Sequence, residues 1–325
     1  MNRLTVYIGM AAIVLINVVV FGMIFINQSQ ALPSGIQGFN GGSGNGEANF
    51  INHIYGDFAL SLEKPMDVMK TKEFIYITDT NNKRVQIFDL AGEFLFAFGE
   101  EGSEPGQFNF PYGIAGDNYG NVYVADMYNG VISKHDAKGE FIEYFAHELS
   151  IEKKISSPAG LRIVNELVYV SDIQESKVLV LNMAGELLVE VGEQGDGPGQ
   201  FIAPNAVTAD NEGNIYVVDT GNQRVQTFDA DGNFMNMFTG YPLEINESLF
   251  VNPRGIGISS RGIIYVVSNL THIVHAFDKE GNHLAQFGGM GEGPGDLYLP
   301  NGLFIDEKDT IFVTDTLNQR VSIFK

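Results

Sequence analysis

The stretch DTGNQRVQTFDADGNF, residues 219–234, contains side chains that could do chemistry: three carboxylates, one arginine and a glycine-bearing turn. Paired carboxylates serve acid/base catalysis, closely spaced acidic residues can bind calcium, and opposite charges can simply hold a fold together. Related stretches occur as DTNNKRVQIFDLAGEF at 79–94 and as DTLNQRVSIFK at 315–325. Because an active site would need its charged groups only once, the recurrence favours a structural role.

The charged positions keep a fixed spacing, in which an acidic residue is followed five positions later by a cation. The pairs are Asp79/Arg84, Asp219/Arg224 and Asp315/Arg320, with Asp172/Lys177 as a conservative variant. In each pair the Asp closes one apolar run and the cation opens the next, so we predict structural ion pairs between neighbouring strands. The DADG turn at 229–232 resembles a calcium loop, but its counterparts keep the Gly and lose the second Asp, so we predict no calcium site.

Two landmarks recur in step along the chain, at intervals of 46 to 49 residues. One is the residue that closes an apolar run: Asp79, Asp126, Asp172, Asp219, Ser268 and Asp315. The other is a proline: Pro65, Pro111, Pro158, Pro204, Pro253 and Pro300. Each copy contains four short runs rich in β-branched and aromatic residues, separated by Gly, Asn and Asp. Six such copies predict an all-β fold, a six-bladed β-propeller.

The two ends of the repeated region test this interpretation. The last copy ends at Lys325 after its third strand, so it lacks a fourth. The segment INHIYG at 51–56 precedes the first complete copy and ends like the other fourth strands. We therefore predict a propeller over 51–325 whose ring is closed by the N-terminal strand 51–56.

The N-terminal segment has a different character. Residues 4–26 form a stretch of 23 residues without a charge, long enough as a helix to cross a bilayer. Arg3 precedes it, so the positive-inside rule predicts a cytoplasmic stub at 1–3, a single-pass anchor at 4–26 and an extracytoplasmic body. Residues 27–50, rich in Gly, Ser and Asn, are predicted to be a flexible linker. The alternative is a signal peptide cleaved near Ala31, with secretion of the body.

Composition excludes several classes of partner and site. The formal net charge is −21, and Arg3 is the one charged residue before Glu47, so the acidic excess lies in the body. Such a body repels phosphate backbones, so we predict no nucleic-acid partner and a membrane contact through the N-terminal helix only. The sequence has no cysteine, which rules out disulfides and thiolate metal sites.

The segment GEQGDGPGQFIAPNAVTADNEGNIYVVDTGNQRVQTFDADGNF at 192–234 closely resembles the NHL repeat, and the resemblance extends over essentially all of 51–325. It implies a propeller built of NHL repeats, and it implies that the Asp/Arg positions are structural. It does not fix the function, because NHL-type propellers include RNA binders, protein-interaction modules and enzymes.

The positions after the landmark prolines should line one mouth of the central channel. They are Met66, Tyr112, Ala159, Asn205, Arg254 and Asn301. Similar propellers that act as peptidyl-amidoglycolate lyases carry His there, and gluconolactonase-like ones hold a divalent metal with Glu, Asp and Asn. This chain has Asn205 and Asn301 without a carboxylate, and the cationic Arg254 would oppose a metal ion. We therefore predict no metal and no cofactor.

Copies two and five depart from the Asp/Arg pattern and lie opposite each other in a ring of six, which places Tyr128 and His272 across the mouth. Our candidate contacts for a ligand or partner are Tyr112, Tyr128, Asn205, Arg254, His272 and Asn301. The sequence thus favours a membrane-tethered, extracytoplasmic module that binds a protein, a peptide or a glycan. The alternative is an enzyme, a lactonase-type hydrolase or a lyase with a divalent metal in the channel.

Overall fold

Each sequence copy folds into one four-stranded antiparallel sheet in the computed structural model, which describes residues 48–241 and 248–325. We number these sheets blades 1 to 6 in chain order. The six sheets confirm the predicted all-β, six-bladed fold. The predicted helix at 4–26 lies outside the described residues. Within the described ranges, no helix combines the length and the apolar character needed to cross a membrane.

The innermost strand of each blade begins at or shortly after the landmark proline. The innermost strands are β2 (Pro65–Lys70), β6 (Pro111–Gly116), β10 (Pro158–Val164), β14 (Pro204–Ala209), β18 (Pro253–Ile258) and β22 (Leu303–Ile305). The second strands are the buried apolar runs β3 (Ile75–Asp79), β7 (Val122–Asp126), β11 (Leu167–Asp172), β15 (Ile215–Asp219), β19 (Ile264–Ser268) and β23 (Ile311–Asp315). Each innermost strand contacts its neighbours in order, and β2 contacts β22, so the ring is closed.

The outer half of each blade is a hairpin. The third strands are β4 (Arg84–Phe88), β8 (Val131–His135), β12 (Lys177–Asn182), β16 (Arg224–Phe228), β20 (Ile273–Phe277) and β24 (Arg320–Phe324). The outermost strands are β1 (Phe50–Tyr55), β5 (Phe94–Phe98), β9 (Phe141–Phe145), β13 (Leu187–Val191), β17 (Phe234–Phe238) and β21 (His283–Gly288). A short helix, α1 (His147–Ile151), lies in the connection between blades 2 and 3. Hydrophobic residues of neighbouring blades form joint clusters, so the core lies between the sheets.

The first strand of the described chain completes the last blade. β1 pairs antiparallel with β24, and Ile54 lies opposite Val321. Both side chains are buried in one cluster with Val68 and Ile75 of blade 1. This pairing covers the edge of β24, which would otherwise expose unpaired backbone groups.

The register of the strands defines the two ends of the channel. Pro158 lies opposite Asp172, so the innermost strand starts where the second strand ends. The turns between second and third strands therefore lie at the same end as the landmark prolines, and we call this end the mouth. The innermost strands approach closely there: a Cβ on Gly113 would lie 2.1 Å from the carbonyl oxygen of Ala159, and one on Gly255 would lie 2.5 Å from that of Asn301. The channel is consequently narrow.

Candidate functional site

The repeated Asp/Arg positions form buried corners between the second and third strands. Asp219 is fully buried, and its carboxylate accepts hydrogen bonds from Arg224 Nε and from the backbone N–H of Ile202, both at 2.8 Å. The two Nη atoms of Arg224 donate to three carbonyl oxygens in the preceding loop at 196–200. The corner thereby ties a Gly-Pro loop to its blade, which is a structural task.

Two further corners have the same pair. The Asp79 carboxylate and Arg84 Nε are 2.7 Å apart, as are those of Asp315 and Arg320. Both carboxylates are completely buried. No water or substrate can reach them without unfolding of the corner, so they do not form an acid/base site.

The predicted pair of Asp172 with Lys177 is wrong. Asp172 accepts four backbone N–H groups, two from the preceding connection at 156–157 and two from the turn at 174–175. Lys177 instead forms a salt bridge with Glu190 of β13. The ammonium group is a single point charge and lacks the fork with which arginine bonds a carboxylate and several carbonyls together. A lysine at this position therefore turns to the outer strand, where Glu190 lies on its face of the sheet.

The DADG turn is a hairpin turn that its own carboxylate stabilises. Asp229 accepts hydrogen bonds from the backbone N–H groups of Asp231 and Asn233, and Gly232 has a φ of +85°. Across 48–241 and 248–325, no three His, Asp or Glu side chains come together in a group that could hold a metal ion.

Four of the predicted contact residues do meet, at the mouth. Tyr112, from blade 2, places its hydroxyl within hydrogen-bonding distance of the side-chain amides of Asn205 and Asn301, from blades 4 and 6. Both contacts run to amide oxygens, and a phenol donates one proton, so only one of the two oxygens accepts it at a time. The phenol also forms a hydrogen bond with Arg254. Arg254, from blade 5, lines the same space. Burial raises the pKa of Tyr112, against the opposing charge of Arg254, which keeps the phenol neutral.

The side chains at this level almost fill the channel. The cavity between Tyr112, Asn205, Arg254 and Asn301 has a volume of about 10 Å³, which is room for about one water molecule. Ala159, at another position of the same ring, is fully buried. A ligand larger than water therefore meets this layer from outside, at the rim of the mouth.

An ion pair that the sequence analysis missed crosses the channel farther from the mouth. Arg162 Nη1 lies 2.7 Å from a carboxylate oxygen of Asp67, and Arg162 Nη2 lies 3.1 Å from the other. Arg162 also donates to the carbonyl oxygen of Leu303 at 2.7 Å. The signal in the sequence was Asp67 itself, which stands where four of the other five copies have Gly at the second position after the proline.

The rim carries an aromatic stack with two lysines over it. The Phe110 ring stacks on Tyr128, with centroids 4.5 Å apart, and on Tyr112, with centroids 6.2 Å apart. Lys64 Nζ and Lys83 Nζ lie 5.6 Å and 5.7 Å from the centroid of Phe110. Tyr112 and Tyr128 are predicted contact residues, whereas Phe110, Lys64 and Lys83 were not predicted.

The missed residues occupy repeated positions that the sequence analysis did not compare. Lys64 and Phe110 each stand directly before a landmark proline, and Lys83 stands in a turn at the mouth where two other copies have Gln. Lys64 and Lys83 both have a positive φ, 56° and 57°. A comparison of residue types before each proline, as well as after it, would have drawn attention to Lys64 and Phe110.

His272 has a local role in the structure. Its Nδ1 accepts a hydrogen bond from the backbone N–H of Leu299 at 3.0 Å, and its ring packs edge-on against Tyr298. Burial lowers the pKa of His272, which favours the neutral ring that can accept this bond. His272 thus joins blades 5 and 6, whereas Tyr128 stacks within blade 2, so the structure does not bring these two candidates together.

Comparisons with known proteins agree with this architecture. A family model described as a 6-bladed beta-propeller matches residues 60–159, 151–246 and 238–324. Virginiamycin B lyase from Staphylococcus aureus, a solved structure, aligns with a TM-score of 0.59 at 12% identity over 86% of this chain and 99% of its own, a likeness of fold alone.

Two curated relatives share part of the sequence. The probable peptidyl-alpha-hydroxyglycine alpha-amidating lyase pgal-1 of Caenorhabditis elegans is 30% identical over 46% of this chain and 44% of its own length. The E3 ubiquitin-protein ligase NHLRC1 of Homo sapiens is 24% identical over 51% of this chain and 43% of its own length. The chain thus spans less than half the length of either relative. With six four-stranded sheets closed into a ring and a family match along 60–324, this chain belongs to the family of six-bladed β-propellers built of NHL repeats.

Proposed function

We propose that this protein is a membrane-tethered, extracytoplasmic binding module whose mouth engages a protein or peptide partner. The observation that carries the proposal is the filled channel. Its cavity at the mouth has a volume of about 10 Å³, so a substrate larger than water does not fit into the channel at this level. The rim outside this layer is open, and Tyr128 exposes 61% of its surface there. A partner therefore binds across the rim.

Two observations favour a polypeptide partner, the names of the two curated relatives and the apolar surface at the mouth. The two relatives are named for a protein and for a peptidyl substrate. The loops at the mouth expose large apolar side chains, which suit the apolar side chains of a polypeptide better than a hydroxyl-rich glycan. These exposed residues are Tyr128, Ile202, Met290 and Leu317.

The sequence of residues 1–50 supports the membrane tether. A segment of 23 uncharged residues after Arg3 is long enough to span a bilayer, and the linker that follows can hold the body away from the surface. The intact mass of the protein extracted from membranes tests this arrangement. A mass that retains residues 1–31 supports the anchor, and a protein that begins near residue 32 shows cleavage and secretion instead.

Site-specific photo-cross-linking tests binding at the mouth. A photoreactive amino acid replaces Tyr128 in the full-length chain, and the matched control replaces Tyr119. Both tyrosines are exposed and belong to blade 2, but Tyr119 lies in the turn between β6 and β7, at the opposite end of the channel. We expect a protein or peptide adduct at position 128 and none at position 119. Equal adducts at both positions, or none at position 128, would rule out the mouth as the binding surface.

The enzyme alternative has less support. The cavity is lined by one carboxylate, that of Asp67, and both of its oxygens accept hydrogen bonds from Arg162. The phenol, the two amides and the second guanidinium around it add no anionic oxygen ligand, which a hard divalent cation prefers. Metal analysis of the purified protein tests this alternative directly. A stoichiometric divalent metal that is lost in the Asn205→Ala/Asn301→Ala variant would establish a metal centre and overturn the binding-module proposal.

A further inference from the structure

Arg254 differs from the other arginines of the described chain. Five of the six arginines at 48–241 and 248–325 form a salt bridge with an Asp, and Arg254 forms none with a described residue. Its Nε is buried and has no hydrogen-bond partner among the described residues. Hydrogen-bond donors of a charged group are costly to leave unpaired. The guanidinium forms a hydrogen bond with Tyr112, and its unpaired Nε leaves it further binding capacity at the mouth.

Two more cations belong to the same patch. Lys64 and Lys83 both lie over the ring of Phe110, and neither is in a salt bridge with a described carboxylate. Burial, together with the positive charges of Arg254 and Lys83, lowers the pKa of Lys64. Lys64 is thus close enough to both other cations to be repelled by them. We call Lys64, Lys83 and Arg254 the cation patch.

The cation patch is unusual in so acidic a chain. The protein has 40 acidic and 19 basic side chains, so a random surface arrangement would give most cations an acidic neighbour. Three like charges held together cost free energy, which an anion bound between them would recover. The two lysines come from blade 1 and the arginine from blade 5, so the charge is spread across the rim rather than gathered in one loop.

The surroundings of the patch indicate the class of anion. Phe110 stacks on Tyr128, whose other face is open to solvent. The cavity behind the patch admits about one water molecule, so at most a small polar group reaches Arg254 from outside. Cations on separate elements beside an aromatic surface fit several carboxylates and an apolar side chain along one extended ligand. An acidic peptide has these groups.

We propose that the cation patch and Tyr128 recognise an acidic peptide. Its carboxylates pair with Lys64, Lys83 and Arg254, and one of its apolar or aromatic side chains packs on the exposed face of Tyr128. This inference rests on the proposed function, and it adds the chemical class of the partner. Binding is electrostatic in part, so it weakens as salt concentration rises.

A direct binding measurement with synthetic probes tests the inference. The full-length chain in detergent is titrated with a short peptide of alternating Glu and Phe that carries an uncharged fluorophore. The comparison peptide has Gln in place of Glu. Further arms use inorganic phosphate and a heparin oligosaccharide as competitors. We expect the Glu peptide to bind about tenfold more tightly than the Gln peptide, equivalent to about 1.4 kcal/mol, and to lose this preference at high salt.

The repeats themselves supply conservative variants of the patch. Asn252 and Gln223 occupy, in other copies, the positions of Lys64 and Lys83, with φ values of 57° and 53°. The double variant Lys64→Asn/Lys83→Gln therefore keeps residue types that this fold accepts in the left-handed region. We expect it to bind the Glu peptide about tenfold more weakly than the wild type, because it removes two partly buried cations.

A matched control removes the same charge elsewhere. Lys138 and Lys308 lie in turns at the end opposite the mouth, so Lys138→Gln/Lys308→Gln should bind like the wild type. Equal binding of the Glu and Gln peptides, an equal loss in both double variants, or tight binding of phosphate or heparin without binding of the Glu peptide would overturn the inference. If adducts at position 128 persist in that case, the binding module stands and only its acidic partner falls.

Discussion

Blades 4 and 5 build the same corner with different chemistry. In blade 4 the buried carboxylate of Asp219 binds Arg224 Nε, Gln226 Nε2 and the backbone N–H of Ile202. Arg224 lies opposite Asp219 in the strand register, so the charged pair is part of the hairpin. The corner is a compact charged centre without access to solvent.

In blade 5 the corresponding residues are Ser268, Ile273 and His275. Ser268 lies opposite Ile273 in the same register, and its hydroxyl accepts the backbone N–H of Val251 at 2.9 Å. No cation replaces the arginine. His275 is buried, and its Nδ1 lies 3.2 Å from His283 Nε2 on the neighbouring strand.

The comparison of the two blades shows which interactions the corner needs in order to form and which ones only stabilise it further. Both blades keep one hydrogen bond from the preceding loop to the end of the second strand, Ile202 to Asp219 in blade 4 and Val251 to Ser268 in blade 5. The hairpin register is also kept. The ion pair is therefore one way to stabilise the corner and is not needed to form it. Its loss leaves a buried histidine without a nearby carboxylate.

The largest expected effect comes from removal of one half of a charged corner. Asp219→Ala leaves Arg224 buried without its counter-ion, which typically costs about 3–5 kcal/mol of unfolding free energy. Ser268→Ala removes two neutral hydrogen bonds between the hydroxyl and the backbone of Val251, one of them long at 3.4 Å, which costs about 1–2 kcal/mol. Chemical unfolding of the two full-length variants measures both values. Similar losses in the two variants would contradict the distinction between the corners.

The second effect depends on pH. Burial, and secondarily the charge of His283, lowers the pKa of His275 to about 3, below the value of 6.5 in the unfolded chain. The unfolded state therefore binds the proton more readily, and stability falls as pH falls from about 6.5 towards 3. At pH 5 protonation of His275 in the unfolded chain lowers the free energy of unfolding by about 2 kcal/mol. Melting temperature measured from pH 7.5 to pH 4.5 should record this loss.

His275→Gln is the control for that prediction. Gln86 and Gln226 occupy the same position in blades 1 and 4, so the fold accepts glutamine there. His53 and His135 also have pKa values lowered by burial, to about 4, and they continue to destabilise the variant at acid pH. We expect the variant to lose less stability on acidification than the wild type does. Parallel pH profiles would show that folding does not lower the pKa of His275.

The third effect concerns the difference between arginine and lysine at the charged corner of blade 4. Arg224→Lys keeps the charge opposite Asp219 but removes the Nη donors to the loop at 196–200. The outermost strand of blade 4 has Met237 at the position of Glu190, so the new ammonium group has no carboxylate there and keeps Asp219 as its counter-ion. We therefore expect a loss of about 1–2 kcal/mol, less than for Asp219→Ala. Hydrogen exchange should show faster opening of 196–200 than in the wild type. An unchanged loop would mean that the carbonyl contacts contribute nothing to its stability.

The fold could be predicted because the sequence repeats. The prolines and the residues that end the second strands recur at the same spacing, and they define the four-stranded copies. They also define the ring position of Tyr112, Asn205 and Asn301. The partners of individual side chains were harder to predict. The pairing of Lys177 with Glu190 and of His275 with His283 depends on the register between third and outermost strands, which the sequence comparison did not include. The filled channel depends on packing between blades, and the lysines over Phe110 depend on loops, so neither follows from a local pattern.

The smallest effect concerns the corner where the predicted ion pair is absent. The Lys177 side chain is 31% exposed and bound to Glu190, which is 35% exposed, so Lys177→Ala should cost no more than about 0.5 kcal/mol. The carboxylate of Asp172 keeps its four backbone donors in this variant. Chemical unfolding of Lys177→Ala, with Glu190→Ala as its partner in a double-mutant cycle, measures the coupling. A loss for Lys177→Ala near that of Asp219→Ala, without coupling to Glu190, would contradict this assignment, because only a charge bound to the buried Asp172 could produce it.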